Sequence, residues 1–450
     1  MKLNSKTIIK LSGDSNEDRK AVVEKTLGQG TSLAGKGISL TMGLALDDSV
    51  PIENVDQVGD AKVKIRTYYD DALIPNKDSE SARENARRVT NALELISLEA
   101  NQQKTVIIVS STKKSLKDVI KHDFDTKPVK FHNKNINYSN FSDYLGFTLS
   151  EDGLRDSINK SIRNRIRKGW AKTSQISNLL QVPQIRQHGW LLCAVTLVQS
   201  ILPAVLSYAS ECWIGGTKEI LSKLEQSFKQ MIYSIFGFGE KTKYSAVMLE
   251  LGLMKMKHVV ARAQISYMSE VVWDLEDSTL NKVILQEFEL LGEKSSLAIV
   301  DKLAIDYGFE KVSVARIDKK ILKQQVRLVN NQENWYECFN SSSIPVRHFF
   351  RIYDKSHFTW EKLKAKAILA YRCGALKFKT CWRLYNLKRG KGIDCPNILC
   401  GKEDSLLHAR QCLFYNTRWD DKFNDSEQEF AEYLLRLNRE RISRYRLPII

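Results

Sequence analysis

The 450-residue chain, 43% apolar and 27% charged, has the composition of a globular protein with about two to four domains, each able to bury a core. No apolar run approaches the roughly 18 residues of a membrane span, and the opening MKLNSKTIIKLSGDSNEDRK holds no long apolar leader; a nuclear or cytoplasmic protein is expected, neither secreted nor membrane-bound. A net charge of +16 points to a polyanionic partner, nucleic acid before an anionic membrane surface.

Residues 1–150 read as mixed α/β. A glycine-rich stretch at 28–37 precedes an alternating run, Val63, Ile65 and Thr67, then Tyr68-Tyr69-Asp70-Asp71, then Ala72, Leu73 and Ile74. This pattern predicts a tight hairpin with two carboxylates at its tip. Aspartate is common in turns, so a solvated tip is one reading. Against it, a two-residue hairpin turn prefers Asn-Gly or Gly-x. Half-buried like charges also need a counter-charge, which Mg²⁺ supplies through hard carboxylate ligands. A polar helix is expected from Ser79 to about Ala100, a β-rich run over Thr105–Val109, and weak alternation over 128–149 that contains Tyr144-Leu145-Gly146.

From about 151 to 290 the apolar spacing turns helical. No Asp or Glu occurs from Ser157 to Ser210, a span that holds Lys160, Arg163, Arg165, Arg167, Lys168, Lys172 and Arg186. Ile162 and Ile166 are four apart, as are Arg163 and Arg167, which separates an apolar from a cationic stripe on a helix. A solvated basic face is the plain reading. Contact with the phosphates of a nucleic acid is the functional one, and the length of the acid-free span favours it. Residues 291–385 read as a further helical segment rich in Lys, Arg and aromatics, and an amphipathic helix is expected over Ser426–Arg444.

Between them lie Cys395, Cys400, His408 and Cys412. Three thiolates and one imidazole fill a tetrahedral Zn²⁺ shell, and His408 and Cys412, one helical turn apart, can face one metal. Four protein ligands leave no open position, so the zinc would be structural. Buried free thiols near a surface histidine are the alternative. The uneven placement of the eight cysteines argues for a metal site in a reducing compartment rather than a disulfide framework.

Taken in order, these blocks resemble the reverse transcriptases of non-LTR (LINE-type) retrotransposons. Leu27–Leu33, Tyr68–Asp71, Ala100–Thr105 and Tyr144–Phe147 follow the order of palm motifs B, C, D and E. Ile201–Trp213, ILPAVLSYASECW, is similar to the LPxLLYGSExW block of the thumb, and Leu249–Leu253 to the ELGL block after it. Glu403-Asp404, His408, Cys412, Tyr415 and Arg418-Trp419 match the terminal CCHC element. The resemblance implies an α+β protein. A partial palm would span 1–150, a helical thumb 151–290, a helical connector 291–385, and a CCHC zinc knuckle with a terminal helix 386–450. It implies that Asp70 binds catalytic Mg²⁺ with Asp71 in support, and that Lys104 lies near the triphosphate. Gln29, Gly30 and Tyr68 would line the template and nucleotide. Leu145 and Gly146 would form the primer grip, and the partners would be an RNA template, a DNA primer and their duplex.

The family pattern also needs a motif A aspartate on the strand beside the YxDD hairpin. Only 28 residues precede Gln29, and their Asp14 and Asp18 lie in polar sequence without a strand pattern. The expectation is therefore an N-terminally truncated RNA-directed DNA polymerase whose activity the missing aspartate and absent fingers put in question. The alternative is a nucleic-acid-binding remnant that uses the basic thumb and the knuckle without copying.

Overall fold

The computed structural model describes the backbone of six short strands between residues 7 and 73. After these it describes 74–76, 78–95, 101, 104–110, 114–131, 134–240, 242–276, 278–339, 360–373 and 427–445. Strand β1 (Thr7–Leu11) pairs antiparallel with β2 (Arg19–Val23), β3 (Asp56–Val58) with β4 (Ala61–Val63), and β5 (Arg66–Tyr68) with β6 (Asp71–Leu73). The hairpin expected around the acidic pair is present as β5 and β6. Its register sets Tyr68 opposite Asp71, which makes Asp71 the first residue of the returning strand. Among the described residues every sheet has two strands. A palm sheet is therefore not assembled among them.

Helix α1 (Ser79–Leu95) begins at Asp78, whose carboxylate accepts from the Ser81 amide at 2.7 Å, a side-chain cap. Its Ala86, Val89, Ala92 and Leu93 recur at helical spacing and bury against Phe124 of α2 (Lys114–Thr126) and Phe131 of β7 (Lys130–Phe131), which pairs with β8 (Lys134–Asn135). The β-rich run at Thr105–Val109 contributes only a single parallel bridge, Ile107 to Tyr138. A turn at Asn101, whose carbonyl accepts the amides of Lys104 and Thr105 at 3.0 and 2.9 Å, takes the start of that run out of strand geometry. The hairpin of β9 (Phe141–Tyr144) and β10 (Phe147–Ser150) follows.

The rest of the described chain is mostly helical, so the protein is α+β with helix dominant. Helix α3 (Leu154–Leu179) is followed by α4 (Pro183–Gln187), α5 (Trp190–Leu206), a 3₁₀ turn at Ser210–Trp213, α6 (Lys218–Phe236) and α7 (Tyr244–Glu250). Ile158, Ile162 and Ile176 of α3 close a core with Trp190, Leu202, Leu206, Phe228 and Met231. Gly169 lets the three long helices of this core meet. A Cβ there would lie 2.8 Å from Leu206 and 2.9 Å from Met231. The two blocks that resemble thumb motifs serve this core. Leu202, Leu206 and Trp213 are buried, and so are Leu251 and Leu253, between which Gly252 takes a positive φ of 62°.

Helices α8 (Met256–Ser269), α9 (Thr279–Leu291), α10 (Ser296–Asp306) and α11 (Lys319–Phe339) follow. They enclose a second core around Ile265, Met268, Leu297, Val300, Leu322 and Val326. Helix α12 (Lys362–Arg372) returns to the first core through Ala365, Leu369 and Cys373. The terminal helix, α13 (Glu427–Tyr445), lies against α12 and covers nearly the expected span. Among the described residues no helix is long and apolar enough to cross a membrane.

Candidate nucleic-acid interface

The acid-free span opens in α3, and the helix sorts its cations by their angle around the axis. Arg163, Arg167 and Lys168 are exposed, as are Lys172 and Arg186. Arg167 donates to Asn164 Oδ1 at 3.1 Å and Lys172 to Gln175 Oε1 at 3.0 Å, bonds to neutral groups that leave the positive charge uncompensated. Lys160 is half-buried. Its ammonium lies 2.7 Å from Asp156, 3.0 Å from Ser150 Oγ and 5.0 Å from the Phe141 ring centroid, so it ties α3 to the hairpin. Bonds from Lys160 and Ser150 hold the Asp156 carboxyl below its ordinary value, against the opposing effect of burial.

Arg165 is buried, at 6% exposure. Its Nη2 donates to the Gly146 carbonyl, and its guanidinium lies over the Tyr208 ring, 4.2 Å from the centroid. Its Nε is out of water and has no partner. Burial lowers the Arg165 pKa, a shift that Tyr208 and Asp143 oppose. The sequence carried a signal for this position. Ile158, Ile162, Arg165, Gly169, Thr173 and Ile176 step by four or three residues and are all buried, so Arg165 stands on the core stripe of α3. Tyr208, by contrast, is 43 residues away in sequence, and nothing local announces the pairing.

The Leu145-Gly146 turn joins β9 to β10 with Tyr144 opposite Phe147 and both central φ values positive, 50° and 77°. Such a two-residue turn suits the twist of a hairpin, but its first position favours Asn, Asp or Gly. A leucine with left-handed backbone costs roughly 1–2 kcal/mol. The hairpin is anchored to α3 by side chains. The Thr148 amide donates to Ser161 Oγ at 2.8 Å and the Ser150 amide to Ser157 Oγ at 2.9 Å, which satisfies edge amides of β10 without a third strand. Thr148 Oγ1 donates in turn to Asp143. Three features of the sequence thus meet at one place: Tyr144-Leu145-Gly146, the basic helix and Ser207-Tyr208 of the block ILPAVLSYASECW.

The other expected site residues are not brought to this place. Lys104 is exposed in the turn after Asn101. Tyr68 and Asp71 are described through their strand register alone. Gln29, Gly30 and Asp70 lie outside the described residues, as do Cys395, Cys400, His408 and Cys412. Neither the Mg²⁺ nor the Zn²⁺ donor set can therefore be assembled, and among the described residues no group of three or more His, Cys, Asp or Glu is placed to hold a metal ion. No protein-family model matches the chain, and no curated protein matches it.

Proposed function

We propose that the protein binds nucleic acid through the exposed cationic face of α3 and the adjoining β9–β10 turn, as a member of the non-LTR reverse-transcriptase group. The observation that carries this reading is the run of exposed cations, Arg163, Arg167, Lys168 and Lys172, in a span of 54 residues without a single acid. A face of this kind attracts a phosphate backbone by releasing its counterions. The order of the sequence blocks supports an RNA–DNA duplex as the ligand and an RNA template with a DNA primer as its parts. The polymerase reading, with Asp70 and Asp71 on Mg²⁺ and Lys104 at the triphosphate, is the second one. It rests on the sequence blocks alone. The zinc element at Cys395, Cys400, His408 and Cys412 belongs to the same proposal.

The test is binding of the full chain to a labelled RNA–DNA hybrid across a salt series, beside primer extension with Mg²⁺. Affinity that falls about tenfold or more between low and moderate salt supports the binding reading, whereas a flat salt response removes it. Synthesis that disappears in an Asp70→Asn, Asp71→Asn double variant would establish the polymerase.

A further inference from the structure

We propose that Arg165 is a positioning residue: held between the Gly146 carbonyl and the Tyr208 ring, it fixes the Leu145-Gly146 turn on the helical body, and the turn rather than the Arg165 charge meets the nucleic acid. The proposal deepens the nucleic-acid reading above and rests on it. Two residues along a helix is about 200° around its axis, so Arg165 points away from the face that carries Arg163 and Arg167. Its Nη2 is engaged on the Gly146 carbonyl, its guanidinium lies over Tyr208 and its Nε is enclosed, so most of the group faces protein. With 6% of the residue exposed, a phosphate would find little of it to meet.

The turn is built around the guanidinium in return. A Cβ on Gly146 would lie 2.4 Å from Arg165 Nη2 and 3.1 Å from the Tyr208 ring. Glycine therefore suits the position twice, by its φ and by the space that Arg165 fills. A buried cation and a leucine in left-handed backbone are both costly, and strain of this sort is kept where a side chain must be presented in one orientation. Lysine cannot replace the arginine, because a point ammonium lacks the planar face that lies on Tyr208 while the fork reaches the carbonyl.

The experiment compares full-length wild type with Arg165→Lys, Arg165→Gln, Tyr208→Ala, Tyr208→Phe and an Arg167→Ala, Lys168→Ala pair. Two quantities are read: the salt dependence of affinity for an RNA–DNA hybrid duplex, and amide hydrogen exchange in peptides spanning Tyr144–Thr148. Arg165→Lys and Tyr208→Ala are expected to accelerate exchange over the turn at least tenfold and to weaken binding about tenfold, with the slope of log K against log salt unchanged. Tyr208→Phe keeps the ring and should behave as wild type. The Arg167, Lys168 pair should flatten the slope by about one for each phosphate that is no longer neutralised, with exchange unaltered. In a charge-removing variant, Arg165→Gln, a flatter slope without faster exchange would make Arg165 a phosphate ligand and overturn the proposal, as would wild-type binding by Arg165→Lys. A wild-type chain that binds no duplex removes the nucleic-acid reading and the presenting role together. Exchange in Arg165→Lys would then still report separately on the lock.

Discussion

Arg372 of α12 and Glu250 at the end of α7 meet at 2.8 Å, Nη1 to Oε1, with side-chain exposures of only 10% and 8%. The pair joins a helix far along the chain to the block Glu250-Leu251-Gly252-Leu253. Breaking a buried ion pair by removing one of its charges typically costs about 3–5 kcal/mol. Glu250→Gln should therefore lower the urea midpoint of the helical signal clearly. An unchanged midpoint would show that the pair contributes little to the stability of the helical body.

Acid should act through Glu333. Burial would raise its carboxyl, but bonds from His258, Lys255 and Lys257 outweigh burial and hold it far below its ordinary value near 4.5. The distances are 3.1 Å from His258 Nε2, 2.7 Å from Lys255 and 2.6 Å from Lys257, with Glu337 as the second partner of Lys255 at 2.7 Å. The folded-state value lies below the unfolded one, so this stabilisation is fully present above about pH 4.5 and is lost as pH falls toward the folded value. Glu333→Gln should melt lower at pH 7, and the gap to wild type should narrow between about pH 4.5 and 2. A gap that stays constant across that range would assign the network no part in acid unfolding.

Gly169→Ala tests the close approach of three helices. Helix propensity alone favours alanine by about 1 kcal/mol. The new methyl would press on Leu206 and Met231, whose packing gives little room, and overpacking of this kind costs about 1–3 kcal/mol. Net destabilisation is expected in thermal melts; a stabilised variant would show that the core there can yield.

Arg163→Ala combined with Arg167→Ala should weaken binding to the RNA–DNA hybrid and flatten the salt slope by about two if each side chain neutralises one phosphate. Melting temperature should move little, because both side chains are exposed. A large loss of stability would assign them to the fold instead.

Freshly purified protein should carry about one Zn²⁺ per chain if the four ligands close a tetrahedral site. His408→Ala should reduce that content. Zinc-free protein, measured by elemental analysis, would leave Cys395, Cys400 and Cys412 as ordinary thiols.

The long helices were legible because their apolar residues repeat every three or four positions, as Ile158, Ile162 and Ile176 do. The terminal helix and the hairpin around Tyr68 and Asp71 were legible for similar local reasons. The run Thr105–Val109 misled. Its β-branched residues favour strands, but the Asn101 turn takes the Thr105 amide and only Ile107 is bridged, to Tyr138. Read as sequence, α3 carries its cations as one charged set. Counting charge cannot separate Arg165 from Arg163 and Arg167; only its place on the stripe of Ile162 and Gly169 does. The partners of Arg165, on a hairpin turn and beyond the end of α5, depend on tertiary packing and leave no mark in the local sequence.

Helix α8 belongs to two walls at once: Met256, Val259 and Val260 fill the first core, while Ala261, Ile265 and Met268 fill the second. Opening a crease between them would strip one set of these side chains from its core. The body from α3 to α11 should therefore behave as one beam under load. A force applied at the β9–β10 turn would be carried along it to α11, and would not be absorbed at a joint.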